Sequence, residues 1–96
     1  TAGKRDVSYD IEMPIPAQWC RRGHRTPDAV PADWAVSAMN DQHAYLRYPA
    51  HATVVPQVGD RVALGISHPC TTFDKWHWMP VVDDDYCVVD AVAMHF

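Results

Sequence analysis

Along most of this chain apolar and polar residues alternate with a period of two, and no segment sustains the 3.6-residue recurrence of a helix face. Residues 7–11 predict a short strand, after which Pro14 and Pro16 impose an extended segment because their rings fix φ. From 20 to 33, Gly23, Pro27, Pro31 and several charges predict an exposed loop. Order returns at Trp34. Trp34, Val36 and Ala38 alternate with Ala35, Ser37 and Met39, and this strand runs into the polar group Asn40-Asp41-Gln42-His43. A second strand is expected over 44–48, with Ala44, Leu46 and Tyr48 on one face and Pro49 ending it. Residues 51–55 are extended and rich in β-branched side chains.

Pro56-Gln57-Val58-Gly59-Asp60 is turn chemistry, with Gly59 free to take positive φ. It leads into the clearest strand, 61–66, whose Val62, Leu64 and Ile66 share a face. Trp76, Trp78 and Met79 then make a dense apolar patch, read as a lid on the core or as a surface that stacks on a ligand. Val81 and Val82 begin a strand, Asp83-Asp84-Asp85 is a polar turn, and 86–96 returns as a long strand. Tyr86, Val88, Val92, Met94 and Phe96 lie on one face of it, interrupted by Asp90. Turn signals recur about every 8 to 12 residues and no long repeat is visible, which predicts an all-β fold, a small antiparallel barrel or sandwich.

Composition bounds this picture. Ninety-six residues allow one small domain with a thin core, 1–96 being a single β-domain or a fragment of one. No run approaches the roughly 18 apolar residues of a membrane span. The chain opens at Thr1 without a signal-peptide pattern, so it is expected to be part of a longer, soluble, cytoplasmic polypeptide. A net charge of -4 offers no footprint for nucleic acid or anionic lipid. Arg21, Arg22 and Arg25 form the one basic cluster, read as a solvated loop with an anion site as the alternative. Cys20, Cys70 and Cys87 are odd in number and widely spaced, without the pattern of a disulfide framework or a closed zinc site. Cys87 alternates into a valine-rich run as a small buried hydrophobe.

The candidate chemistry lies in Gly65-Ile66-Ser67-His68-Pro69-Cys70-Thr71-Thr72, which sets two strong metal ligands, His68 and Cys70, two positions apart. In an extended chain residues i and i+2 point to one side, about 6.6 to 7 Å apart, so an imidazole and a thiolate could converge on one cation, and Pro69 argues against helix. Two ligands fall short of a structural zinc site, which leaves the site completed from elsewhere or open to substrate and water. Softness favours Zn²⁺ over Mg²⁺ or Ca²⁺. A thiol-protease pairing of Cys70 with His68 or His43 lacks an oxyanion-hole signature. Asp83-Asp84-Asp85 lacks the spacing of a calcium loop. Among the other histidines His43, in a polar turn between two strands, is the one carried forward, to hydrogen-bond across the site or to serve the turn.

The segment from Gly59-Asp60-Arg61-Val62 through His68-Pro69-Cys70-Thr71-Thr72 to the valine-rich strand 86–92 resembles the C-terminal β-domain of the D-threonine aldolase and D-serine dehydratase (deaminase) family. Gly3-Lys4-Arg5-Asp6-Val7-Ser8-Tyr9-Asp10 and Asn40-Asp41-Gln42-His43 extend the likeness over nearly the whole chain, in the family's order. The resemblance implies a fold-type III pyridoxal-phosphate enzyme with two domains. An N-terminal alanine-racemase-like barrel would carry the cofactor lysine, and active sites would be completed at a homodimer interface.

It further implies a divalent metal beside the cofactor, zinc or manganese, held by a His-x-Cys pair in dehydratases and a His-x-Asp pair in aldolases, of which His68 and Cys70 match the first. The substrate implied is a small D-3-hydroxy amino acid, taken through dehydration and deamination or through aldol cleavage. Lys4 and Lys75 are the only lysines, neither matches the Schiff-base lysine, and no phosphate-cradling glycine loop is present, so this chain alone is expected to be inactive. The alternative from another class is a stand-alone β-module for metal binding or dimerisation, and the sequence upstream of Thr1 distinguishes the two.

Overall fold

Four antiparallel pairings, in three sheets, carry the architecture. The computed structural model describes residues 1–95. Its elements in chain order are β1 (Ile15–Cys20), β2 (Asp28–Ala29), β3 (Ala35–Met39), β4 (Ala44–Arg47), β5 (Arg61–Gly65), the one-turn helix α1 (Cys70–Phe73), β6 (Trp78–Val82) and β7 (Val88–Ala93). They form a three-stranded sheet in the order β2-β1-β5 and two hairpins, β3-β4 and β6-β7, all antiparallel. The alternating pattern thus yields an all-β domain with antiparallel sheets. No helix is long and apolar enough to cross a membrane among the described residues.

Bulges decide which residues reach the core. In β1 the register with β5 slips between Pro16 and Gln18, and in β3 the register with β4 slips between Val36 and Ala38. One extra residue on a strand reverses the facing of everything beyond it. Pro14, Pro16 and Trp19 are therefore buried in and before β1, and Trp34, Val36 and Met39 in and before β3, while Ala38 turns outward. The expected grouping of Ala38 with Trp34 and Val36 is corrected by that bulge.

Trp19, only 3% exposed, packs on Trp34 with ring centroids 4.9 Å apart and tilted, and Trp34 packs on Tyr48 at 6.2 Å. These contacts bring the three-stranded sheet against the β3-β4 hairpin.

Asp60 ties this core to the turn that precedes β5. One carboxylate oxygen accepts the Trp19 indole N–H at 3.0 Å and the Gln57 amide at 2.9 Å; the other accepts the Arg22 amide at 2.8 Å. The Asp60 amide closes the turn on the Gln57 carbonyl at 3.0 Å, with Gly59 at φ 98°. The Arg22 amide above all, then Gln57 and the indole, hold the Asp60 carboxyl below the usual carboxylate range.

Several expected elements take other forms. Residues 7–11 form no strand: Lys4 and Arg5 donate amides to the Asn40 and Asp41 carbonyls at 3.0 and 3.1 Å, and Asp6 accepts the Gly3 amide at 2.9 Å. Within 7–11 the Val7 amide closes a turn on the Gly3 carbonyl at 3.3 Å and the Ser8 amide donates to the Thr72 hydroxyl, so neither joins a ladder. Gly3 is also pressed so closely on the Asn40-Asp41 turn that a Cβ would lie 2.4 Å from the Asp41 carbonyl oxygen. The expected loop 20–33 contributes Cys20 to β1 and the short strand β2, and residues 51–55 form no strand. The expected strand 86–96 is β7 alone, because Tyr86 adopts φ 62° at the turn; Phe96 lies outside the described residues.

The β6-β7 hairpin projects from the rest. Trp78, Val88 and Val89 are 61%, 66% and 64% exposed, and Cys87 is exposed, not buried in the valine run. Trp76 and Trp78 cap none of this chain's core; the Trp76 indole N–H instead donates to the Asp6 carbonyl at 2.8 Å. The molecule measures 46 × 29 × 20 Å, with a radius of gyration of 14.2 Å where about 12.5 Å is expected for its length. Its 6998 Å² of accessible surface compares with about 5,500 Å² for a compact monomer of its mass.

Met39→Ala is expected to lower the unfolding free energy by about 2–5 kcal/mol in urea denaturation, since a buried side chain leaves a cavity at the sheet-hairpin contact. Asp60→Asn is expected to speed hydrogen exchange at the Arg22 and Gln57 amides while leaving the β6-β7 amides unchanged.

Candidate metal centre

Antiparallel pairing assembles this site. Ile15 of β1 faces Gly65 of β5, so residues leading into β1 lie alongside residues leaving β5. Ser8 therefore meets Thr72, and Asp10 meets His68 and Thr71. The Ser8 amide donates to the Thr72 hydroxyl at 2.7 Å, and both residues are buried. The Ser8 hydroxyl is itself buried with no partner among the described residues.

Pro69 starts a helical turn here instead of continuing an extended strand. Its φ of -72° and ψ of -22° are helical, and its carbonyl accepts the Thr72 and Phe73 amides, each at 3.0 Å. Proline suits a first helical turn because its missing N–H would be unpaired there anyway and its φ is already set. The expected extended geometry of His68 and Cys70 is thereby corrected. The two residues flank one turn, and their convergence no longer follows from strand alternation.

His68 is half-buried and Cys70 is exposed at the start of α1. His68 Nδ1 lies 2.7 Å from one oxygen of Asp10, and the Thr71 hydroxyl donates to the other at 3.1 Å. The bond from His68 is the chief reason that the Asp10 carboxyl is held below the usual carboxylate range, with further help from its own backbone amide and Thr71. An ionised carboxylate only accepts, so Nδ1 carries the proton of this bond. In the neutral ring Nε2 is then the free lone pair. A carboxylate behind one nitrogen fixes the ring and makes the other a better metal ligand.

His43 sits in the β3-β4 turn, exposed, where Asn40 Oδ1 accepts its amide at 2.9 Å and the Asn40 amide donates to its carbonyl at 2.9 Å. Its ring lines a cavity of about 180 Å³ with Val36, Leu46, Val62 and Leu64, and no bond joins it to His68 or Cys70 among the described residues. No group of three or more His, Cys, Asp or Glu is arranged to hold a metal ion among the described residues. The Lys4 ammonium lies over the Tyr9 ring, 5.1 Å from its centroid, and the Lys75 amide caps α1 on the Thr72 carbonyl at 3.0 Å.

Sequence reasoning missed Asp10, Thr71 and the Ser8-Thr72 clasp. The available signal was the partnership of residues flanking β1 and β5, and it required recognising β1 and its pairing first.

Because folding depresses the Asp10 value, its contribution to stability is present above the unfolded carboxylate value of about 3.9 and is lost as pH falls through the lower folded value. Carboxyl NMR titration is expected to give Asp10 a midpoint below that unfolded value, and His68→Gln to move it upward. An unchanged midpoint in His68→Gln would remove the bond as its cause.

Comparison with protein-family models finds one that spans residues 1–82, described as "Putative serine dehydratase domain". A search of curated proteins finds no match. The family match covers the core sheet, the β3-β4 hairpin, the His68 site and β6. The chain belongs to this serine dehydratase domain family, a family of fold-type III pyridoxal-phosphate enzymes.

Proposed function

We propose that this chain is the C-terminal metal-site domain of a cytoplasmic, pyridoxal-phosphate-dependent lyase that acts on D-3-hydroxy amino acids with help from a divalent cation, zinc or manganese. The observation that carries this reading is the Asp10–His68 bond, which leaves Nε2 available two residues along the chain from Cys70, in a chain of the serine dehydratase domain family. An imidazole and a thiol suit a borderline-soft cation. A pair of protein ligands leaves positions for substrate and water. His68 Nε2 and the Cys70 thiolate would hold the metal, Asp10 and Thr71 would keep the imidazole in orientation, and the Ser8-Thr72 clasp would anchor α1. His43 would act from the β3-β4 turn.

A bound cation would polarise the substrate's 3-hydroxyl, either easing its departure in dehydration or assisting its deprotonation in aldol cleavage. Pyridoxal phosphate finds no Schiff-base lysine in this chain: Lys4 and Lys75 are its only lysines, neither matches the family's cofactor lysine, and the Lys4 ammonium lies over the Tyr9 ring. The reading therefore places the cofactor on an N-terminal barrel, with this chain completing a small β-barrel or sandwich in a homodimer. Support comes from the surface excess of the fold. The roughly 1,500 Å² above the monomer expectation is the size of a domain or subunit contact, and the β6-β7 hairpin exposes Trp78, Val88 and Val89.

In the full-length product, His68→Ala and Cys70→Ala are expected to reduce both bound metal and kcat/KM at least about 100-fold, and chelation to do the same. Asp10→Asn is expected to weaken metal binding by about 10–100-fold. Metal content by elemental analysis and product formation check these together: a 2-oxo acid marks dehydration, and glycine plus an aldehyde marks aldol cleavage. Full activity in metal-free Cys70→Ala protein would overturn the metal role.

A further inference from the structure

The opposite end of the β1-β5 pair gathers the chain's positive charge. Cys20, the last residue of β1, faces Arg61, the first of β5, and the chain continues from Cys20 into Arg21, Arg22, His24 and Arg25. Four of the six arginines of a chain with net charge -4 thus stand at one sheet end. The five-residue ladder sets this end about 13 Å from the end that carries His68.

A recess of about 430 Å³ opens here, lined by Cys20, His24, Arg25, Arg61, Asp85 and Tyr86. That volume is within the range of small-molecule sites. The ion pairs among the described residues are Arg5–Asp6, Arg21–Asp28 and His68–Asp10, so Arg25 and Arg61 have no carboxylate partner, Asp85 included.

The roof of the recess is built against local preference. Tyr86 occupies the left-handed region at φ 62°, a hairpin-turn position that glycine or asparagine fills without strain. Its amide is held by the Asp83 carbonyl at 3.0 Å, and its hydroxyl donates to Gln18 Oε1 of β1. The tyrosine ring thereby bridges the β6-β7 turn to the β1-β5 sheet and walls one side of the cavity. A cavity lined by an aromatic ring and by Arg25 and Arg61, which have no carboxylate partner among the described residues, has the chemistry of a site for a small anion with an apolar body.

We propose that this recess binds a small organic oxyanion, a carboxylate or a phosphate ester, held by Arg25 and Arg61 with its apolar part against Tyr86. The inference is independent of the metal reading, since it uses none of that site's residues. Guanidinium forks match either oxyanion, and the cavity is too small for a polymer to enter.

Cys20 provides the readout. In a Cys70→Ser, Cys87→Ser background it is the sole thiol, and its alkylation by neutral iodoacetamide is followed in inorganic phosphate or propionate, with ionic strength held by chloride. Saturable protection by either anion is expected, and Arg25→Ala combined with Arg61→Ala is expected to raise the half-protecting concentration about tenfold or more. Arg47→Ala, on the β3-β4 hairpin, is expected to leave it unchanged. Protection by phosphate alone identifies a phosphate ligand, and protection by propionate alone a carboxylate ligand. Protection no greater than chloride gives, protection unchanged in the double variant, or protection by an oligonucleotide alone would overturn the proposal. Amide spectra of β1 and β5 confirm that the variants fold.

Discussion

Trp19 buries its ring against Trp34 and hands its one polar atom to Asp60, and nearly every other feature depends on that arrangement. A buried indole is favourable only if its N–H is satisfied. Asp60 satisfies it from the turn just before β5, and the same carboxylate collects the amides of Arg22 and Gln57. Two chain segments far apart in sequence, 19–22 and 57–60, are thereby fixed at one point. Register follows from it: once Trp19 lies opposite Val62, Ile15 lies opposite Gly65, and the residues beyond each strand are brought together in pairs.

The two ends of that pairing differ in charge. At one end the flanking segments bring Asp10 beside His68, where an ionised carboxylate orients an imidazole. At the other the strand ends bring Arg61 beside a run of arginines that no acid neutralises apart from Arg21, whose Nε lies 3.0 Å from Asp28 in a charge contact. The Arg21 guanidinium also covers the Trp19 ring at 4.0 Å, so the core and the basic end share a side chain. One antiparallel pair thus frames two separated clusters of polar side chains on a thin core.

The β6-β7 hairpin stands apart from this frame. A two-stranded hairpin is marginal in water by itself, and apolar side chains on exposed strands look for cover. The Trp76 indole, bonded to the Asp6 carbonyl, and the Tyr86 hydroxyl, bonded to Gln18, tether it to the domain at two points, while its valines and Trp78 remain open. Its sequence reads as core because its composition is that of a core. The pattern carries the demand for burial without saying which surface meets it.

Local sequence pattern determined that the chain is β-structured, that 35–39, 44–47 and 61–65 are strands, and that Gly59 and Asp60 form a turn. Each of these follows from local preference: side-chain facing with period two, proline geometry, and glycine's tolerance of positive φ. Tertiary structure decided the rest. Bulges at Ala17 and Ser37 changed which residues face inward, and a proline that breaks helices in their interior began one after His68. The role of Asp10 is silent in the sequence because an aspartate in a turn has no period that ties it to a partner 58 positions away. Only the pairing of β1 with β5, a contact between residues some 50 positions apart closed by Trp19 and Asp60, gives it a histidine to hold.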